Sequence, residues 1–331
     1  MDNTTINNNS AVYYQHDYWN DYTLVREHIN ERVSGDKNKN WMDRLKDVCK
    51  NRKFKRALIL NCGNGWVERE MYSKGLFEEA IGVDCSVDLI NEARDKKSNM
   101  PLEYVVMDTN TAEFPVGNFD LVINHAAAHH VAYLDKVLLG LNKVMTKDSY
   151  FVSFDYVGPH RNQYPLKQWL NMISLNNQLP VEIRQDLKYP HLPTMLYNDP
   201  TEAIHSELFL NTLKRYFKIE EQKKIGGALA YSIMTFNKNM RGVKKEILDK
   251  WIPFILKGDQ KYLDHNPNSS MFDFIVASPI ADINTNKILP FLRREEKREK
   301  KAKGRGGLYY WKTIPQKFYY TVLEYFNIKN N

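Results

Sequence analysis

The stretch RALILNCGNGWVERE, residues 56–70, decides the fold. Residues 57–60 read as a short buried strand, Cys62-Gly63-Asn64-Gly65 as a glycine turn, and the residues from Trp66 onward as a helix. A glycine turn between a strand and a helix start lets a ligand approach bare backbone. The helix N-terminus adds unpaired N–H groups and a partial positive charge. Nucleotide-like cofactors sit at such corners, at the carboxyl ends of parallel strands.

Glycine turns have many uses, and the rhythm downstream narrows them. Residues 80–83 lead into Asp84, about 20 residues after the turn, where a ribose-binding acid is expected. Residues 102–107 lead into Asp108, residues 119–123 into Asn124 and His125, and residues 150–154 into Asp155. Helices are expected over 66–73, 87–96 and 131–145. The last carries Val131, Leu134, Leu138, Leu141 and Met145 on one face. Gly75 sits at a helix stop and Ser86 at an N-cap. Repeated strand–helix crossovers force a parallel sheet with helices on both faces.

With these motifs in this order, the chain resembles the S-adenosylmethionine-dependent methyltransferases of the Rossmann-like class, over residues 56–279. The resemblance implies an α/β, doubly wound, mostly parallel seven-stranded sheet. It also implies S-adenosylmethionine as cofactor and S-adenosylhomocysteine as its product. By the same resemblance, Cys62, Gly63 and Gly65 lie against the cofactor's amino-acid portion. Asp84, with Cys85, takes the ribose; Asp108, with Thr109, takes the adenine; Asn124 and His125 complete the cofactor contacts. The family's acid near the end of the first strand is replaced by Ile59, and the first glycine of its turn by Asn61, which can donate or accept in the acid's place.

The run His125-Ala-Ala-Ala-His129-His130 follows the fourth strand, where the family places the residues nearest the transferred methyl. Imidazole titrates near neutrality and can take the proton that a hydroxyl or amine loses on methylation. His130 is the first candidate base and His129 the second; either instead lines the cofactor or caps the next helix. Asp155 orients a histidine or accepts a substrate hydroxyl. The segments Asp155-Tyr156-Val157-Gly158-Pro159-His160-Arg161 and Asp199-Pro200-Thr201-Glu202-Ala203-Ile204-His205-Ser206-Glu207 resemble motifs of one branch of the class, (D/E)YVGP and DPxEAIHSE. They nominate Tyr156, His160, Arg161, Glu202 and His205 as substrate-binding. The Asp-Pro run is also good helix-start chemistry. A divalent metal is possible in such a site, but no ligand spacing demands one, so no metal ligand is assigned.

Residues 159–216 exceed what a minimal fold needs and read as a helical lid, with helices near 166–174, 181–187 and 201–216. Gln163, Tyr164, Trp169, Tyr189, His191 and Tyr197 in it suit a sugar. Strands are expected over 217–224 and 272–278, helices over 229–240 and 243–256, and a charged helix over 288–303 broken by Pro290. Residues 13–51 read as two helices around Gly35, from which Tyr13, Tyr14 or Trp19 can roof the cofactor or pack in the core. The chain then divides into an N-terminal helical segment (1–52), a methyltransferase domain (53–280) and a basic, aromatic C-terminal extension (281–331).

The 331 residues, 43% hydrophobic, suffice for a sizeable core. No apolar run or leader pattern suggests a membrane span or export, so a cytoplasmic location is expected. Cys49, Cys62 and Cys85 match no zinc or redox spacing and read as small apolar fillers. The net charge of +7 concentrates in the last fifth of the chain: nine Lys or Arg against three Glu lie between Arg293 and Lys312. A nucleic-acid-binding core is therefore not implied. The reading is O-methylation of a small polar acceptor, a sugar or glycan hydroxyl first, the glycan step by analogy alone. The competing readings are a nucleic-acid methyltransferase docked through the basic tail, and a cofactor-binding protein whose tail docks a protein partner or a membrane surface.

Overall fold

The structure is a computed structural model that describes residues 18–303. Tyr13, Tyr14 and the aromatic and basic segment beyond residue 303 lie outside the described residues. Two helices open the chain, α1 (Thr23–Ser34) and α2 (Trp41–Val48), separated at Gly35, whose φ of 82° ends α1 in a left-handed cap. The strand–helix series follows as β1 (Phe54–Leu60), α3 (Trp66–Ser73), β2 (Phe77–Asp84), α4 (Val87–Lys96), β3 (Leu102–Val106), β4 (Phe119–His125), α5 (Leu134–Val144) and β5 (Met145–Tyr156). The insertion contributes α6 (Leu166–Asn177), α7 (Leu192–Asn198) and α8 (Ser206–Leu213). Then come β6 (Phe217–Gly226), α9 (Ala230–Met234), α10 (Lys245–His265), β7 (Phe272–Pro279) and α11 (Thr285–Lys303).

The seven strands form one sheet in the order β3-β2-β1-β4-β5-β7-β6. β1 to β5 pair in parallel, and β7 runs antiparallel between β5 and β6, so the sheet is mixed. Strand β1 shows how the pattern builds two layers: Ala57 and Ile59 face one core, Leu58 and Leu60 the other. A third core lies apart from the sheet faces. It joins Trp19 and Val25 to Tyr164, Trp169 and Met172 of the insertion, and to Ile252 and Ile255 of α10. The cap over the sheet's carboxyl edge therefore draws on the chain's start and the β6–β7 connection as well as on residues 159–216.

Several expected helices differ, for local reasons. Residues 181–187 form no helix: Asn176 bonds the Gln185 backbone through both its amide atoms, and Arg184 donates to the carbonyls of Asn177 and Leu179, fixing a turn. The helix expected at 201 starts at Ser206, because Asp199 caps the Thr201 amide and the Ile204 amide pairs with the His129 carbonyl. The helix expected from 131 starts at Leu134, after a 3-10 turn over Ala128–His130. The helix expected over 229–240 breaks after Met234, and α10 extends well past Leu256. Buried Asp259 of α10 accepts the amides of Gly227, Leu229 and Ala230 and so ties α10 to the start of α9. α11 runs through Pro290 unbroken, since Ile288 and Leu292 anchor it in the sheet core.

Candidate functional site

The glycine turn stands at the carboxyl end of β1. Gly63 and Gly65 adopt φ of 57° and 74°, and a side chain at Gly65 would collide with the Tyr104 hydroxyl, so the turn admits only bare backbone there. Helix α3 starts at Trp66 without a side-chain cap, leaving its first amides for a ligand. Asp84, buried at the end of β2, accepts the Gly63 amide at 2.9 Å on one oxygen and the Ser86 amide at 2.8 Å on the other. Burial raises its pKa against the pull of these N–H groups. Each oxygen keeps a lone pair for a hydroxyl. Asp108 is exposed and spends one oxygen capping Asn110. Thr109 donates to Asn61 at 2.6 Å, and Asn61 reaches the Ala127 carbonyl at 3.2 Å, joining the turn to the loop after β4. Glycines that exclude side chains, two strand-end acids and uncapped helix amides fit an S-adenosyl group: the turn would take its amino-acid end, Asp84 its ribose and Asp108 its adenine.

Under the turn lies a group that the sequence pattern did not single out. Glu68 of α3 is fully buried, and neither carboxyl oxygen finds a partner in ordinary hydrogen-bond geometry. Burial pushes its pKa up to about 8, with Asp84 adding to the rise and the backbone, Cys62 and Arg69 opposing it. Cys62 is buried beside it, and burial likewise pushes its thiol up; its amide is spent on the Val83 carbonyl and its carbonyl accepts the Gly65 amide. Cys85 is exposed, contrary to the filler reading, because it follows Asp84 out of the sheet.

The loops after β4 and β5 build the second half of the site. Asp155 is buried with both oxygens engaged. It accepts from Asn124 Nδ2 at 3.0 Å, the amides of Ala127, Ala128 and Tyr156, and His129 Nδ1 at 2.6 Å. Burial alone would raise this carboxyl, but the His129 charge and these donors hold it below the usual range. Asp155 is thus a positioning residue with no oxygen turned to substrate. Asn124, expected at the cofactor, is also buried and spent on Asp155, Ser153 and the Ala128 amide. His125 lies against both Trp41 and Phe154, which also pack on each other, with Trp66 at its edge, and burial pushes its pKa down to about 4; it is a neutral ring in an aromatic wall.

His129 and His130 stand together on the 3-10 turn, ring centroids 4.1 Å apart. Burial lowers the basicity of both. For His129 the Asp155 charge and hydrogen bond, with Glu202 and Asp199, outweigh burial and raise its pKa to about 9. For His130 burial and charged His129 prevail and lower it. His130 Nδ1 meets Thr201 Oγ1 at 3.0 Å and lies 3.8 Å from Asp199. Glu202 Oε2 is 3.8 Å from His129 Nε2 and 3.9 Å from His130 Nε2. Asp199 and Thr201 were legible only as a helix start, which the structure replaces with this turn.

The other nominated substrate residues divide. Tyr156 is buried and gives its hydroxyl to the Pro159 carbonyl, and Arg161 is buried with its guanidinium on the Glu202 carbonyl, so both shape the site from behind. His160 donates to the Ile204 carbonyl and stacks on His205, which meets Arg298 of α11 at 3.0 Å. Burial and Arg298 push His205 down to about 3, and burial pushes nearby Glu207 up to about 7. Tyr164, Trp169 and Tyr189 are buried against one another and cannot line a sugar site. The basic segment from Arg293 to Lys303 is helix packed on α5: Glu295 accepts the Asp135 and Lys136 amides, and Glu299 pairs with Lys136.

Residues 58–153 match the family model described as a methyltransferase domain. Among curated relatives, EEF1A lysine methyltransferase 4 of Mus musculus is 26% identical over 121 residues, 32% of this chain and 47% of that protein. Fatty-acid O-methyltransferase of Mycolicibacterium smegmatis is 31% identical over 117 residues, 35% of this chain and 40% of that protein. A solved structure of Haemonchus contortus phosphoethanolamine N-methyltransferase 2 with S-adenosyl-L-methionine aligns at 16% identity and a TM-score of 0.47, covering 78% of this chain and 56% of that one. The chain spans about half the length of the curated relatives it matches. The region that matches the methyltransferase-domain model contains the glycine corner described above. No helix among the described residues is long and apolar enough to cross a membrane.

Proposed function

We propose that this chain transfers a methyl group from S-adenosylmethionine to an oxygen of a small polar acceptor, a sugar or glycan hydroxyl first. One observation carries the reading: Asn61 bonds the glycine corner to the loop that presents His129 and His130, so the donor's place and the imidazoles adjoin. The donor's sulfonium supplies an activated methyl group. The chain's own residues have two tasks, in-line placement of the acceptor and loosening of its proton. His130, His129 and Glu202 face the acceptor; Asp155, Thr201 and Asp199 hold the imidazoles; Asp84, Asp108 and the turn hold the donor. Residues 53–280 serve as the catalytic domain and 159–216 as the larger part of its lid.

A hydroxyl-rich acceptor suits this surface, where Thr201 bonds both Asp199 and His130 and Glu202 Oε2 lies 3.9 Å from His130 Nε2. The relatives are named for a lysine and for a fatty acid, so they do not choose among acceptors. A nucleic-acid acceptor has less support, because Glu295, Arg298 and Glu299 of the basic segment are spent on α5 and His205. The test replaces His129 and His130 together by Ala and measures cofactor binding and turnover separately, offering labelled donor with monosaccharides, a fatty acid and a lysine peptide. Binding retained with turnover lost supports the reading; turnover retained overturns it.

A further inference from the structure

Two imidazoles and one carboxylate converge beyond β4. Nε2 of His129 and Nε2 of His130 lie 3.8 and 3.9 Å from the same oxygen, Oε2 of Glu202. Both gaps are too long for hydrogen bonds. They are close to the spacing of donors that share one metal ion: bonds of about 2.0–2.2 Å set neighbouring tetrahedral ligands roughly 3.5 Å apart. One ligand atom from each of the three residues falls within 4.8 Å of the others.

The surroundings fit the same purpose. A metal-bound histidine commonly fixes its second ring nitrogen on a carboxylate or other oxygen, which sets the tautomer and aims the ligating nitrogen. His129 does this on buried Asp155 at 2.6 Å, and His130 on Thr201 Oγ1 at 3.0 Å. Asp155 is in turn oriented by Asn124 and three backbone amides. The carboxylate's strand of chain is tied down beside the histidines. The Ile204 amide donates to the His129 carbonyl at 3.0 Å, and Arg161 donates to the Glu202 carbonyl at 3.2 Å. A rotamer adjustment of Glu202, whose side chain is partly exposed, closes the remaining few tenths of an ångström.

We propose that His129, His130 and Glu202 form a binding site for one first-row divalent transition-metal ion, with its open positions toward the acceptor. Two nitrogens and one oxygen favour zinc, cobalt or iron over magnesium or calcium. The ion's charge lowers the pKa of a ligated hydroxyl. That role rests on the acceptor placement proposed above, whereas metal binding itself does not. A second set, His160, His205 and Glu207, has the residue types but carries the Arg298 guanidinium on His205 Nε2, a charge that opposes a cation.

The test is titration of the chelator-treated full chain with Co2+, followed by its visible absorption, and with Zn2+, followed by calorimetry. Binding of S-adenosylhomocysteine serves as the check that each protein is folded. The expected result is saturable one-to-one binding, weakened at least tenfold in H130A and in E202Q and unchanged in H205A. D155N is expected to weaken it about 10- to 100-fold through His129. The absence of saturable binding to protein that still takes S-adenosylhomocysteine overturns the proposal. So does binding that survives H130A and E202Q, or that is lost in H205A instead. Because the readout is metal occupancy, a wrong acceptor leaves the result intact.

Discussion

Replacing Glu68 by Gln is expected to stabilise the protein, increasingly so as the pH rises. Glu68 is fully buried without a well-formed hydrogen bond, and its pKa stands at about 8 against 4.5 for the exposed group. Between those two values the folded chain keeps a proton that the unfolded chain releases, so folding stability falls as the pH rises through that window. Below about pH 4.5 the two states bind alike and the penalty vanishes. At pH 7 it reaches about 3 kcal/mol, from 1.36 kcal/mol for each pH unit above 4.5. Glutamine has nearly the same shape and no proton to lose. Glu68→Gln therefore gains about 3 kcal/mol over the parent at pH 7 and nothing near pH 4.5. Thermal melts at several pH values read this directly, the variant's Tm rising by about 4 °C at pH 7. The reasoning is refuted if parent and variant lose stability in parallel as pH rises, or if the variant is less stable at pH 7.

Three further substitutions probe the supports of the site. Gly65→Ala puts a side chain at φ +74° against the Tyr104 hydroxyl and is expected to cost about 1–3 kcal/mol and to weaken S-adenosylhomocysteine binding, read by melting and calorimetry. Asp155→Ala strands the amides of Ala127 and Tyr156, leaves the Ala128 amide to Asn124 and removes the partner of His129; a loss of about 3–5 kcal/mol in urea unfolding is expected, and a loss below 1 kcal/mol would show that the network is not essential. Glu295→Ala uncaps α5 and frees α11, so limited proteolysis should cut within residues 285–303 faster while the stability cost stays at about 1–2 kcal/mol.

The legible part of this protein was the part set by local chain physics. The strand-turn-helix at Gly63 and Gly65, the helix of residues 66–73 and the Ser86 cap depend on residues adjacent in sequence, and they stand as read. Asp84 was placed by spacing alone, and it meets the Gly63 amide. What failed depended on partners far along the chain. Asn124 sits at a strand end like a ligand-binding residue, yet it bonds Asp155 across 31 positions, while Asp155 orients His129, one of its two readings. Tyr164 and Trp169 look like sugar platforms but fill a separate cap core that Trp19 helps to close. Residues 199–205 carry helix-start chemistry, but their amides serve Asp199 and the His129 carbonyl instead. Glu68 gave no signal, since an acid one turn into a helix is ordinary until the sheet closes over it.

The account stands on the glycine corner and Asp84 holding a sulfonium donor. Isothermal titration of the folded chain with S-adenosylhomocysteine tests that directly. One-to-one binding in the parent, weakened at least tenfold in Asp84→Ala, is the outcome this structure leads us to expect. No heat from well-folded protein, or equal binding in the variant, would contradict it.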